Sequence, residues 1–277
     1  MDGELESLIE KSWNQWDKYG DPGASDFIKE VCPVPPILFV GDRNAYKNSK
    51  IKVITVALNP SKNGAKKEIH EKEFPRWKSV TFSNIRVQPE EYLKGLEEYF
   101  YKDPNRNYFN AFEPILNGME TSFYVSGKGA NQSFHNIALH TDLCSQLTTD
   151  PNWGGLGDGV KQKLAADASS LWEKLMMLFK PNLVLASFGE AHLKWIKLPP
   201  SDMKRQVEDI NTWDTTFKIG EKPFIVNGLL FNDGSKNQHN SLFARGHGSR
   251  RPFMIKDEYK NELGRQLLQY LKDHGII

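Results

Sequence analysis

The chain has 277 residues, a formal net charge of +1 and two cysteines. That length forms a sizeable core in one large α/β domain or two small ones. The balanced charge excludes a strongly basic coating but leaves room for a local basic patch. Two distant thiols, Cys32 and Cys144, cannot supply the four ligands of an iron–sulfur cluster or a Cys₄ zinc site. The first residues, Met1-Asp2-Gly3-Glu4, are acidic, with no apolar signal region, and no run approaches the ~20 apolar residues that span a bilayer. The expected setting is therefore reducing and cytoplasmic, without a membrane.

Leu5, Leu8, Ile9, Trp13 and Trp16 recur at helical spacing and predict an amphipathic N-terminal helix within an extension over residues 1–30. After Pro33, Pro35 and Pro36, Ile37-Leu38-Phe39-Val40 is expected as a strand. Residues 52–58 are rich in β-branched side chains and end at Asn59-Pro60, which predicts a central strand. Residues 90–101 are expected to be helical, and 126–133 to form a loop. Residues 136–143 predict a third strand, and 150–155 a further loop. A helix carries Val160, Leu164, Leu171, Leu175 and Leu178 and stops at Lys180-Pro181. Residues 182–188 predict a fourth strand ending at Gly189. Residues 199–222 are polar and are expected as an insertion. Strands are expected over 223–231 and from 241 to 244. A closing helix over 257–274 is expected to turn Tyr259, Leu263, Leu267 and Leu271 inward.

Strands alternating with helices predict a single-domain three-layer α/β/α fold with a mainly parallel central sheet. In such sheets ligands bind outside the C-terminal ends of the strands. Four ends carry chemistry-capable residues: Asn59, Thr141-Asp142, Ser187-Phe188-Gly189 and Arg245-Gly246-His247.

These ends, in chain order over most of residues 50–270, resemble the uracil-DNA glycosylase superfamily. Val56-Ala57-Leu58-Asn59-Pro60-Ser61 is similar to the Gly-Ile-Asn-Pro-Gly loop of the mismatch-specific uracil/thymine enzymes, with Asn59 and Pro60 retained and Ala57 and Ser61 replacing the glycines. Residues 183–189 resemble the family's apolar strand ending in an aromatic and a glycine. His247-Gly248-Ser249-Arg250-Arg251 is similar to its His-Pro-Ser-Pro-x loop. His247 and Ser249 match, both prolines are replaced, and Arg251 stands where the family carries its wedge.

The resemblance implies a monofunctional DNA glycosylase. Such an enzyme flips a base from the stack, holds a water, and stabilises the leaving base as the sugar becomes oxocarbenium-like. Asn59 would orient the water, since an amide hydrogen-bonds but abstracts protons poorly. His247 would donate to the departing base; phosphate contact or loop packing is its other reading. Where the family carries a uracil-reading asparagine, this chain has Asp142. A carboxylate accepts from the cytosine N4 amine and faces the uracil O4 poorly. A protonated acid also donates to cytosine N3. The expected substrate is therefore cytosine or a 5-substituted cytosine; genomic cytosine must be spared, which favours a 5-modified cytosine, glucosylated hydroxymethylcytosine of phage DNA being the family's closest functional picture. Asp142 as a structural carboxylate capping the next turn stays open.

Phe82, with Trp77 and Phe74 as alternatives, is expected to stack on the base, with Phe188 lining the pocket; plain core packing is the other reading. Arg245, Arg250, Arg251 and Lys256 around the His247 loop, together with Ser61, Lys62, Lys66, Lys67 and Ser249, would hold phosphates. No cofactor and no metal is expected, because His135 and His140, five apart on a strand, face opposite sides. A monomer is expected, with DNA as the partner. Two alternatives remain: a uracil/thymine mismatch repair glycosylase, and a non-catalytic binder of modified or single-stranded DNA.

Overall fold

The computed structural model describes residues 3–81, 84–102, 104–124, 134–196, 215–219, 222–232, 238–246 and 257–277. The chain forms α1 (Gly3–Tyr19), α2 (Arg43–Asn48), β1 (Val53–Ala57), a π-helical turn (Lys67–Glu71), α3 (Pro89–Glu97), α4 (Tyr99–Lys102), α5 (Arg106–Phe109) and α6 (Glu113–Gly118). There follow β2 (Thr121–Ser122), β3 (Asn136–Ile137), β4 (Leu139–Asp142), α7 (Asp158–Phe179), β5 (Leu183–Ala186), β6 (Thr215–Ile219), β7 (Lys222–Asn232), β8 (Gln238–Gly246) and α8 (Asp257–Asp273). The fold is α/β, with a mainly parallel central sheet in the order β4-β1-β5-β8-β7-β6. No helix among the described residues is long and apolar enough to cross a membrane.

Two compact units share the chain. One comprises Met1–Gly41, Ala57–Asn105 and Thr141–Leu178; the other comprises Asp42–Val56, Arg106–His140 and Phe179–Ile277. Each draws on three separate stretches of sequence.

In the second unit, β1 runs parallel to β5, with Val53 opposite Leu183, and β5 runs parallel to β8, with Leu183 opposite Leu242. Val53, Ile54 and Val56 and all of β5 are buried. Strands covered on both faces read as continuous apolar runs, which is why these two were legible. Beyond β8 the sheet turns antiparallel: β7 pairs with β8 from Phe224 opposite Gly246 to Asn232 opposite Gln238, and β6 pairs with β7. The expected insertion over 199–222 therefore includes an edge strand; the rest of that stretch lies outside the described residues. The expected strand over 136–143 divides at Ala138. β3 pairs in parallel with β2 in a separate two-stranded sheet, while β4 joins the main one. At the division, Ala138 N–H still donates to Ser122 O of β2 at 2.9 Å. In α8, Leu263, Leu267 and Leu271 are fully buried, but Tyr259 faces solvent, one turn short of the buried stripe.

In the first unit, α1 lies against α7. Lys18 Nζ and Tyr19 Oη donate to the same Asp167 oxygen at 3.0 and 2.9 Å. Leu5, Leu8, Ile9 and Trp13 of the predicted stripe are buried, and Trp16 is half-buried. Trp77 is core: it stacks on Tyr92 with ring centroids 5.9 Å apart, and its Nε1 donates to Tyr92 O at 3.1 Å. The Arg76 guanidinium donates twice to Glu68 Oε1, from Nε at 3.1 Å and from an Nη at 2.5 Å, both partners being buried. That pair fastens the π-helical turn to the segment that follows it. Residues 37–40 form no named strand. Three prolines precede them, removing ladder donors, and Gly41 at φ 124° turns the chain into the Asp42 cap of α2. This buried segment is held instead through Ile37 N–H to Gln146 O at 2.7 Å and Thr141 Oγ1 to Leu38 O at 3.0 Å.

Candidate functional site

Asn59 follows β1 in the first unit and is half-buried. Its amide nitrogen donates to Thr149 Oγ1 at 2.8 Å and to Pro60 O at 3.0 Å. Thr149, fully buried, donates in turn to Pro151 O at 2.7 Å. Backbone bonds bring the segment after Asp142 alongside the Asn59 loop: Leu143 N–H donates to Ala57 O at 2.9 Å, Cys144 N–H to Leu58 O at 2.8 Å and Thr149 N–H to Pro60 O at 3.3 Å. Thr149 also bridges Ser61 on one side and Val31 on the other. The ends of β1 and β4 are thus hydrogen-bonded neighbours, with Asn59 on one and Asp142 on the other.

Asp142 is 3 % exposed. Burial pushes its carboxyl well above the ordinary carboxylate range, because a charge there would lose its hydration. Burial thus favours the protonated form, which can donate as well as accept. Its main-chain oxygen accepts from Gln146 Nε2 at 3.3 Å. Cys144, close by, is also buried, and its thiol is pushed up by burial first and by Asp142 second. The Cys32 thiol is pushed up to about 11, by burial first. Both are poor nucleophiles.

Lys62 stands on the same loop, half-buried, with Nζ 2.7 Å from Asp150 Oδ1. An exposed pair of this kind is worth roughly 0–1 kcal/mol, so a phosphate can compete for the ammonium.

The second unit holds its own cluster, around the end of β5. Ser187 N–H donates to Val56 O at 2.8 Å, and Ser187 Oγ donates to the same oxygen at 3.1 Å. Tyr108 Oη lies 3.2 Å from Ser187 Oγ. Beside it the His140 ring meets Tyr108, Phe109 and Phe112 at 5.6, 5.0 and 6.4 Å, and its Nδ1 is 2.8 Å from Thr55 Oγ1. Burial drives the His140 imidazole down to about 3, so it is neutral in the physiological range. Among the described residues, no group of three or more His, Cys, Asp or Glu side chains is arranged to hold a metal ion.

Two of the expected site residues are enclosed. Arg245, expected on the phosphate-holding rim, is 6 % exposed. It follows a run, Leu242-Phe243-Ala244, that is covered throughout. Phe188, expected to line a pocket, is buried with its ring 6.2 Å from Phe243 and 6.2 Å from His192, in the manner of a core side chain. Phe74 and Trp77, the alternatives for base stacking, are buried too. Phe82, His247, Ser249, Arg250, Arg251 and Lys256 lie outside the described residues.

The residue that sequence reasoning missed is Thr149. Its one signal is its place in Thr148-Thr149-Asp150-Pro151, which reads as the entry to a loop and says nothing of a partner ninety residues away. Tyr108 was missed for the same reason. No protein-family model matches the chain, and no curated protein matches it.

Proposed function

We propose that this protein is a monofunctional DNA glycosylase acting, as a cytoplasmic monomer, on a 5-modified cytosine, glucosylated hydroxymethylcytosine of phage DNA being the form in view. The single observation behind the reading is the adjoining pair of strand ends: a half-buried amide, Asn59, and a buried carboxyl, Asp142, on segments tied by Leu143 N–H to Ala57 O and Cys144 N–H to Leu58 O. An amide holds a water by accepting from it. A protonated carboxyl offers one donor and one acceptor, which matches cytosine N3 and N4. Protonation at N3 assists departure of a base that leaves less readily than uracil. His247, by its family resemblance, would add a donor to the base as charge grows there.

A second reading has its own observation. The near-complete burial of Asp142 also suits a structural carboxyl that no base touches, in a protein that binds modified DNA without cleaving it. Oligonucleotides each bearing one modified base separate the two. After incubation, alkali cleaves the strand wherever a base has been lost. Scission by the wild-type chain that disappears in Asn59→Ala and His247→Ala supports the glycosylase. Binding without scission supports the binder, and scission at uracil alone supports a repair enzyme.

A further inference from the structure

The hydroxyl of Thr149 has one hydrogen, and at 2.7 Å it is given to Pro151 O. Toward Asn59 the same oxygen can only accept. Pro60 O, the other neighbour of the amide, can only accept as well. Both groups therefore require the nitrogen end of the Asn59 side chain, and the observed bonds of 2.8 and 3.0 Å use both of its hydrogens. Turning the amide over would set Oδ1 against two acceptors and leave a fully buried threonine oxygen without its donor. We infer that Thr149 is a positioning residue: with Pro60 it locks Asn59 so that Oδ1 alone is presented outward, and it makes position 59 a site for an amide and not for a carboxylate.

The inference rests on the glycosylase reading for its chemistry and on geometry alone for the lock. A carboxylate at position 59 would face Pro60 O and Thr149 Oγ1 with no hydrogen to give. The Thr149 hydroxyl could turn to meet it only by abandoning Pro151 O. The attacking water is accordingly held by donating to Oδ1, and the proton it sheds on adding to the sugar carbon passes to solvent, since an amide does not take it. Its rate advantage comes from orientation.

Three variants test this on an oligonucleotide bearing one 5-modified cytosine, with Asn59 side-chain amide exchange followed by NMR in parallel. Thr149→Val removes the hydroxyl at nearly constant volume; kcat should fall roughly tenfold or more with KM within about threefold, and the Asn59 amide hydrogens should exchange faster. Thr149→Ser, which keeps the hydroxyl, should restore both. Asn59→Asp, which leaves Thr149 intact, should turn over more slowly than the wild type. A Thr149→Val enzyme with kcat within about twofold and unchanged exchange would overturn the inference, as would an Asn59→Asp enzyme as fast as the wild type. If the wild-type chain releases no base, the glycosylase reading fails, and the exchange measurement decides the lock by itself.

Discussion

On α7, the Glu173 carboxyl is 2 % exposed, and neither of its oxygens has a hydrogen-bond partner among the described residues. Burial alone pushes it up to about 8 from an ordinary 4.5. The folded chain therefore holds a proton that the unfolded chain gives up above pH 4.5. The stability this contributes is complete below that value and is lost as pH rises toward about 8, at ~1.4 kcal/mol per pH unit within the window. His140 works with the opposite sign, losing stability as pH falls from 6.5 toward about 3. Glu173→Gln needs no proton. Denaturant unfolding of the two proteins from pH 5 to pH 8 should show the variant gaining steadily on the wild type. Parallel stability curves would contradict the account of a buried neutral acid.

The crossing of α6 and α8 is set by two glycines. A Cβ added to Gly264 would stand 2.1 Å from Ile115 O, and one added to Gly118 would stand 2.2 Å from Asn261 O. Both clashes are with backbone, which cannot swing aside as a side chain can. Gly264→Ala should therefore destabilise the protein by roughly 1–3 kcal/mol or more, read as a lower denaturant midpoint. Gly159→Ala, at the start of α7 where a Cβ meets nothing within 4 Å, is the control; it should be neutral or stabilising by under about 1 kcal/mol. Equal midpoints for the two variants would contradict the close crossing. The same crossing shows what periodicity hides. The leucine stripe of α8 was legible because burial repeats with the helix, whereas Gly118 and Gly264 differ from loop glycines only by what lies across from them. β1 and β5 were legible for the corresponding reason, continuous apolar runs. β6 was not, since an edge strand needs few apolar residues, and residues 37–40 misled because their burial comes without a ladder.

Across the whole molecule, the two compact units each gather three stretches of chain, so no linker composition could announce them. Asn59 and Asp142 were readable singly, as residues at strand ends. Their adjacency depends on bonds from Leu143 and Cys144 to Ala57 and Leu58, and the Thr149 clamp depends on one hydroxyl proton. Neither leaves a trace in composition or period. On the proposed function, one buried acid on the strand end next to that of a water-holding amide chooses the base. The most direct measurement is base release by the wild type and by Asp142→Asn on matched oligonucleotides bearing uracil, cytosine, hydroxymethylcytosine or its glucosylated form. Exchanging the carboxyl for an amide keeps a donor and an acceptor that uracil also matches but removes the proton that assists departure of cytosine, a change worth roughly a hundredfold or more. The variant should lose modified-cytosine release by at least about that factor while uracil release rises or holds. An unchanged order of preference in a folded Asp142→Asn protein would contradict it.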